Sequence, residues 1–108
     1  VLCLVGSEMC IRDRYNPNAK TEHIIPVNIS KKNYDKVTSI ALKAHKLLKC
    51  RGVTRSDFRF NRNKFYLLET NTQPGMTSLS LVPEIAKYRN ISFAQLINKI
   101  LLDASINK

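Results

Sequence analysis

An α+β fold is the class this sequence predicts, on three observations. Two alternating apolar segments, Val53–Phe60 and Phe65–Thr70, sit mid-chain and are separated by Asn61-Arg62-Asn63-Lys64, the pattern of an antiparallel hairpin. Apolar residues recur at helical spacing both before and after that pair. The chain has 108 residues, 44% of them apolar, enough for one small domain with a packed core.

The elements follow in order. His23-Ile24-Ile25-Pro26-Val27-Asn28-Ile29 is β-branched and apolar, which predicts a strand at an edge or bulge because of Pro26. Ser30 is placed to cap a helix whose stripe is Val37, Ile40, Ala41, Ala44, Leu47 and Leu48. Gly52 is the expected left-handed terminator, with Lys46, Lys49 and Arg51 near the negative helix end.

In the hairpin, Phe58 and Phe60 share one face of the first strand and Tyr66 and Leu68 one face of the second, an apolar set that demands burial. The opposite faces carry Arg55 and Asp57, then Glu69 and Asn71. A three-residue connection sets Asp57 opposite Glu69; a four-residue one separates the polar sets unless a bulge corrects it.

Asn71 to Ser80 is expected to be a loop turning at Pro74-Gly75, followed by a short helix to about Tyr88 with Pro83 in its first turn. The last helix opens on a capping box, Ser92 with Gln95, and a staple of Ile91 on Leu96. Its stripe is Phe93, Leu96, Ile97, Ile100 and Leu101.

The formal charge of +10 comes from 18 Lys and Arg against 8 Asp and Glu. Such a charge suits a nucleic-acid binder, and a small basic nucleic-acid-binding module is one alternative reading. Against it, Lys31, Lys32, Lys36, Lys43, Lys46 and Lys49 are spread along a helix, as a solvated face requires, and the aromatics occupy core faces, not the lysine-rich surface. Neither nucleic acid nor membrane is expected as a partner. No apolar run approaches the roughly 18 residues of a membrane span, and Val1-Leu2-Cys3-Leu4-Val5 lacks the basic leader of a signal peptide. Cys3, Cys10 and Cys50 form no CxxC pair, and a reducing cytoplasm fits them best. Cys50 is expected to be a small buried packing residue. His23 and His45 are given no role.

The informative residues are Arg55-Ser56-Asp57 and the run from Leu68 to Ser78. A carboxylate on one strand faces a carboxylate and an amide two residues apart on its neighbour. The set suits a hard cation such as Mg²⁺. It suits equally a cross-strand ion pair of Arg55 or Arg59 with Glu69. Without a metal, carboxylates so close would raise one pKa unless one of those arginines compensates.

Gly52-Val53-Thr54-Arg55-Ser56-Asp57 and Leu67-Leu68-Glu69-Thr70-Asn71-Thr72-Gln73-Pro74-Gly75-Met76-Thr77 closely resemble the C-terminal signature of the D-alanine–D-alanine ligases. Ser80-Leu81-Val82-Pro83 and Ile91-Ser92-Phe93 continue the likeness, which runs over residues 15–108. The resemblance implies the C-terminal part of an ATP-grasp domain and an ATP-dependent carboxylate–amine ligase. Such an enzyme joins two D-alanines through an acyl phosphate for peptidoglycan precursors.

It implies that Asp57, Glu69 and Asn71 hold two Mg²⁺ (or Mn²⁺) ions at the ATP phosphates. Arg55 and the Gly75 N–H would stabilise the tetrahedral oxyanion. Ser80 and the Leu81 N–H would bind the second substrate's carboxylate at a helix N-terminus; a plain cap is the other reading of Ser80. A sibling ligase with D-lactate as acceptor is a further alternative, and a homodimer is expected of the full-length protein. Tyr15 matches the tyrosine of the family's Ala-Lys-Tyr segment. The family's lysine, a phosphate ligand, falls at Arg14, to which that role is not carried over.

Residues 1–14, VLCLVGSEMCIRDR, have neither a helical nor an alternating period. Within them Leu4 to Arg14 resembles a translated sequencing adapter joined to a truncated frame, so residues 1–14 are expected to be a non-native extension that packs poorly; a genuine, poorly ordered N-terminal extension is the other reading. The remainder is expected to lack the upstream walls of the nucleotide site and so to be inactive alone.

Overall fold

A computed structural model of the chain describes residues 23–106. The expectations for residues 1–14 and Tyr15 lie outside that range. The described elements are α1 (Lys31–Leu47), β1 (Arg55–Asn61), β2 (Lys64–Asn71), α2 (Leu81–Tyr88) and α3 (Phe93–Asp103), with the two strands antiparallel.

The expected strand at 23–29 does not form. The segment is irregular, with a cis Ile25-Pro26 bond, and among the described residues β1 and β2 pair only with each other. Pro26 has no N–H to give a ladder. Val27 and Ile29 nevertheless reach the core.

Helix α1 starts where Ser30 Oγ accepts the Asn33 N–H at 3.3 Å. Its end differs from expectation. The left-handed residue is Lys49, at φ 53°, and Cys50 and Lys49 donate to the carbonyls of His45 and Lys46, both at 3.0 Å. That double closure satisfies the last carbonyls before Gly52 is reached. Gly52 is left-handed too, at φ +66°, but in the link to β1, where its N–H donates to Asp103 Oδ2 at 2.7 Å. The lysines of α1 and Lys49 are all exposed.

The hairpin closes on two residues, Arg62 and Asn63, both at positive φ (46° and 61°), as the tight turn of a right-twisted hairpin requires. A regular ladder from that turn would set Asp57 opposite Leu68 and turn Glu69 to the other face. A bulge between Phe58 and Asp57 takes up one residue of β2, so Phe58 pairs with Leu67 but Asp57 with Glu69.

The two-residue turn also revises the apolar face. Phe65 and Leu67, not Tyr66 and Leu68, stand opposite Phe60 and Phe58, while Tyr66 and Leu68 are 52% and 47% exposed. Phe58 meets Phe65 edge-on at 6.3 Å, and Phe60 meets it at 4.6 Å.

This face packs on α1. Val37 and Phe58 are buried, with Val27, Ile29, Ile40, Ala41 and Phe65 packed around them. Leu47 and Leu48 are exposed and leave the stripe shorter than expected: Leu47 is the last helical residue and Leu48 the C-cap, beyond the core around Val37, Ile40 and Ala41.

The other helices bury Leu81, Ile85 and Ala86 of α2 and Leu96 of α3. Phe93 and Leu101 of the expected α3 stripe are exposed, and Cys50 is half-buried where burial was expected. Pro83 sits at the third helical position, and the capping box is complete: Ser92 N–H to Gln95 Oε1 at 2.8 Å, Gln95 N–H to Ser92 Oγ at 3.2 Å. Arg51 ties α3 back to the α1–β1 link by donating to the carbonyls of Asp103 and Ser105.

Two stability effects follow. Phe58→Ala, by opening a cavity beside Val37, should lower the unfolding free energy in urea by about 3 kcal/mol. Ser92→Ala removes one of the two capping-box bonds and should cost about 1 kcal/mol in the same assay. Ser92→Thr should keep most of that stability; an equal loss in both variants would rule out the cap as the cause.

Candidate functional site

The bulge gathers charged groups on the face of the hairpin turned away from α1. Arg55 opens β1 and is 9% exposed. Its Nε donates to Asp57 Oδ1 at 2.7 Å and its Nη2 to Asp57 Oδ2 at 3.0 Å. The same Nη2 donates across the strands to Glu69 Oε1 at 3.0 Å. Residues two apart on a strand share a face, so Arg55 lies beside Asp57, and the register brings Glu69 opposite. One guanidinium therefore holds two carboxylates, using the planar fork that lysine lacks.

Its hydrogen bond to Asp57 raises the Arg55 pKa above the ordinary value. Burial opposes this, and the charges of Asp57 and Glu69 add to it. Arg55 is thus a fixed cation. It is the arginine that meets Glu69, while Arg59 is exposed on the same face opposite Tyr66.

Asn71 pairs with Arg55 in the ladder and so shares this face. Its Oδ1 accepts the Gln73 N–H at 2.9 Å, bending the chain out of β2. A carbonyl oxygen has a second lone pair, so one acceptor position remains. Two carboxylates and one amide share this face of the hairpin; among the described residues no group of three or more His, Cys, Asp or Glu could hold a metal.

The observed bonds join Arg55, Asp57 and Glu69, and the register adds Asn71; they do not include Gly75, Ser80 or Leu81. Gly75 follows the buried Pro74 in an irregular segment, and the hydrogen-bonded turn falls later than expected, at Thr77–Ser80, where the Ser80 N–H donates to the Thr77 carbonyl at 3.0 Å.

Ser80 is the N-cap residue of α2, yet its side chain does not cap. The third helical position is Pro83, which has no N–H to offer it. Ser80 Oγ turns back instead, accepting the Thr77 N–H at 3.0 Å and lying 2.8 Å from Thr77 Oγ1. It is 2% exposed. The plain-cap reading of Ser80 is therefore overturned, and the first N–H groups of α2, those of Leu81 and Val82, have no intrahelical acceptor.

Two further contacts and a cavity had no forecast. His23 Nδ1 lies 2.8 Å from Glu84 Oε2, tying the segment before α1 to α2 across 61 residues. His45 Nδ1 lies 2.9 Å from Thr54 Oγ1, just before Arg55. A cavity of about 440 Å³ opens between the end of α1 and α3, lined by His45, Cys50, Arg51, Lys99 and Asp103 among others. Only the Thr77–Ser80 bond had a local signal, two hydroxyl residues three apart before a helix. The others join distant segments.

The description "D-ala D-ala ligase C-terminus" belongs to the family model that matches residues 8–102. The D-alanine–D-alanine ligase of Pelagibacter ubique is 65% identical over 95 residues, covering 88% of this chain and 31% of that protein. That of Xanthobacter autotrophicus is 44% identical over 100 residues, 88% of this chain and 32% of its own length. The fold is that of the Bacillus anthracis D-alanine–D-alanine ligase complexed with ATP (TM-score 0.77, 24% identity, 94% of this chain and 32% of that one). The chain thus spans about a third of the length of the curated relatives it matches. Matched over most of its described residues, with the bulged hairpin at the centre of the match, this chain belongs to the D-alanine–D-alanine ligase C-terminal family, an α+β piece of the ATP-grasp fold.

Proposed function

We propose that this chain is the C-terminal catalytic segment of an enzyme that joins two D-alanines in an ATP-dependent reaction, for peptidoglycan precursors. The observation that carries the reading is the cluster of Arg55, Asp57 and Glu69, built from the residues that bear the family signature. In the reaction, the γ-phosphoryl of ATP passes to the carboxylate of the first D-alanine, giving an acyl phosphate. The amine of the second attacks that carbonyl; the C–N bond forms and phosphate leaves.

Asp57, Glu69 and Asn71 offer hard oxygen donors from one face of the hairpin, which suits Mg²⁺ or Mn²⁺, and these three would hold two such ions. When bound, the ions neutralise charge on the ATP phosphates.

Arg55 carries a permanent charge and more donors than its observed bonds use, so it can stabilise the developing oxyanion together with the Gly75 N–H. Asp57 keeps the guanidinium aimed. Ser80 and the Leu81 N–H receive the second substrate's carboxylate, where the helix dipole favours an anion. Because the chain spans about a third of its relatives, walls of the nucleotide site come from elsewhere, and the 108 residues alone do not catalyse.

In the full-length enzyme, Glu69→Gln should lower kcat by on the order of a hundredfold or more while circular dichroism stays unchanged, because an exposed metal ligand adds little to packing. A wild-type rate would sink the metal-ligand role. Arg55→Lys keeps the charge but loses the fork, and should likewise cost about a hundredfold in kcat. The isolated chain, given ATP, Mg²⁺ and D-alanine, should release no phosphate; turnover there would overturn the claim that it is incomplete.

A further inference from the structure

Ser80 closes the 77–80 turn and is 2% exposed, so its hydroxyl bonds to neighbouring protein groups where a surface serine's meets water. Both of its observed partners belong to one residue, Thr77. A serine hydroxyl accepts two hydrogen bonds and donates one. The Thr77 N–H fills one acceptor position at 3.0 Å. The contact between the hydroxyls at 2.8 Å then has two states. If Ser80 donates to Thr77, it has no proton left for a ligand. If Thr77 donates to Ser80, both acceptor positions are filled and the Ser80 proton is released for an anion.

We propose that Thr77 is a positioning residue that sets Ser80 as a hydrogen-bond donor toward the carboxylate of the second substrate. This inference rests on the reading of Ser80 and Leu81 given above. Thr77 is exposed, so its hydroxyl can turn its proton inward with no movement of the backbone. An anion at the start of α2 then completes a chain from the Thr77 hydroxyl through the Ser80 hydroxyl to the carboxylate. Each bond in such a chain polarises the next, and the last is charge-assisted. Pro83 strengthens the arrangement, since it removes the N–H that Ser80 would otherwise cap.

The test is steady-state kinetics of the full-length enzyme with Thr77→Val, Thr77→Ser, Ser80→Ala and the Thr77→Val/Ser80→Ala double variant. Thr77→Val should raise the KM for the second D-alanine about fivefold to tenfold, the loss of one hydrogen bond, and leave the KM for ATP unchanged. Thr77→Ser, which keeps the hydroxyl, should stay within about twofold of wild type. In the Ser80→Ala background Thr77→Val should add nothing, because the residue acts only through Ser80.

Were Thr77→Val to fold poorly, Thr77→Ala deletes the same hydroxyl at less bulk and carries the same expectation. An unchanged KM in the hydroxyl-free variants, or the same rise with Ser80 already gone, would overturn the role of Thr77. If Ser80→Ala itself leaves that KM at the wild-type value, the carboxylate reading of Ser80 fails, and the inference fails with it.

Discussion

Arg55 holds two carboxylates from different strands on one guanidinium, and the polar face of this domain is arranged around that contact. Asp57 and Glu69 lie directly opposite one another, a placement that costs stability when like charges stand unpaired. A cation that is buried, permanently charged and fork-shaped removes the cost and fixes the spacing of both acids. The same bonds hold the guanidinium in place, at the cluster's centre. Nothing in either strand alone would achieve this, because the contact exists only in the bulged register.

Turn and bulge divide the work. The bulge brings Glu69 to the face of Asp57, while the two-residue turn sets Phe60 opposite Phe65 and Phe58 opposite Leu67 on the other face, from which Phe58 and Phe65 pack against α1. A hairpin cannot bury an apolar face by itself. Val37, with Ile40 and Ala41 beside it, supplies the second layer, so the helix that carries the exposed lysines also anchors the acidic face from behind.

The second half of the chain is tied on through helix ends. Arg51 closes the carbonyls at the end of α3, Asp103 takes the Gly52 N–H, and His23 reaches Glu84 on α2. The start of α2 is the exception among the three described helix N-termini. Ser30 and Ser92 cap their helices, whereas Ser80 is drawn back by Thr77 and meets Pro83 where its usual donor would be.

By itself the sequence determined the α+β class, the helices capped by Ser30 and Ser92, the hairpin, and the identity of Arg55, Asp57, Glu69 and Asn71 as the residues of interest. These are local signals: periodicity, caps at fixed offsets and a compact motif. It left the connection length open, and with it the face of Glu69. It placed a strand at 23–29, chose Gly52 over Lys49 as terminator, and buried Tyr66, Leu68, Phe93 and Leu101, which are exposed. Tertiary structure decided those points, because a face is apolar only relative to what covers it and a register only relative to its partner. It alone paired Glu69 with Arg55 in preference to Arg59, and turned Ser80 from its own helix toward Thr77. Both outcomes depend on the relative placement of segments, a non-local property that no window of residues encodes.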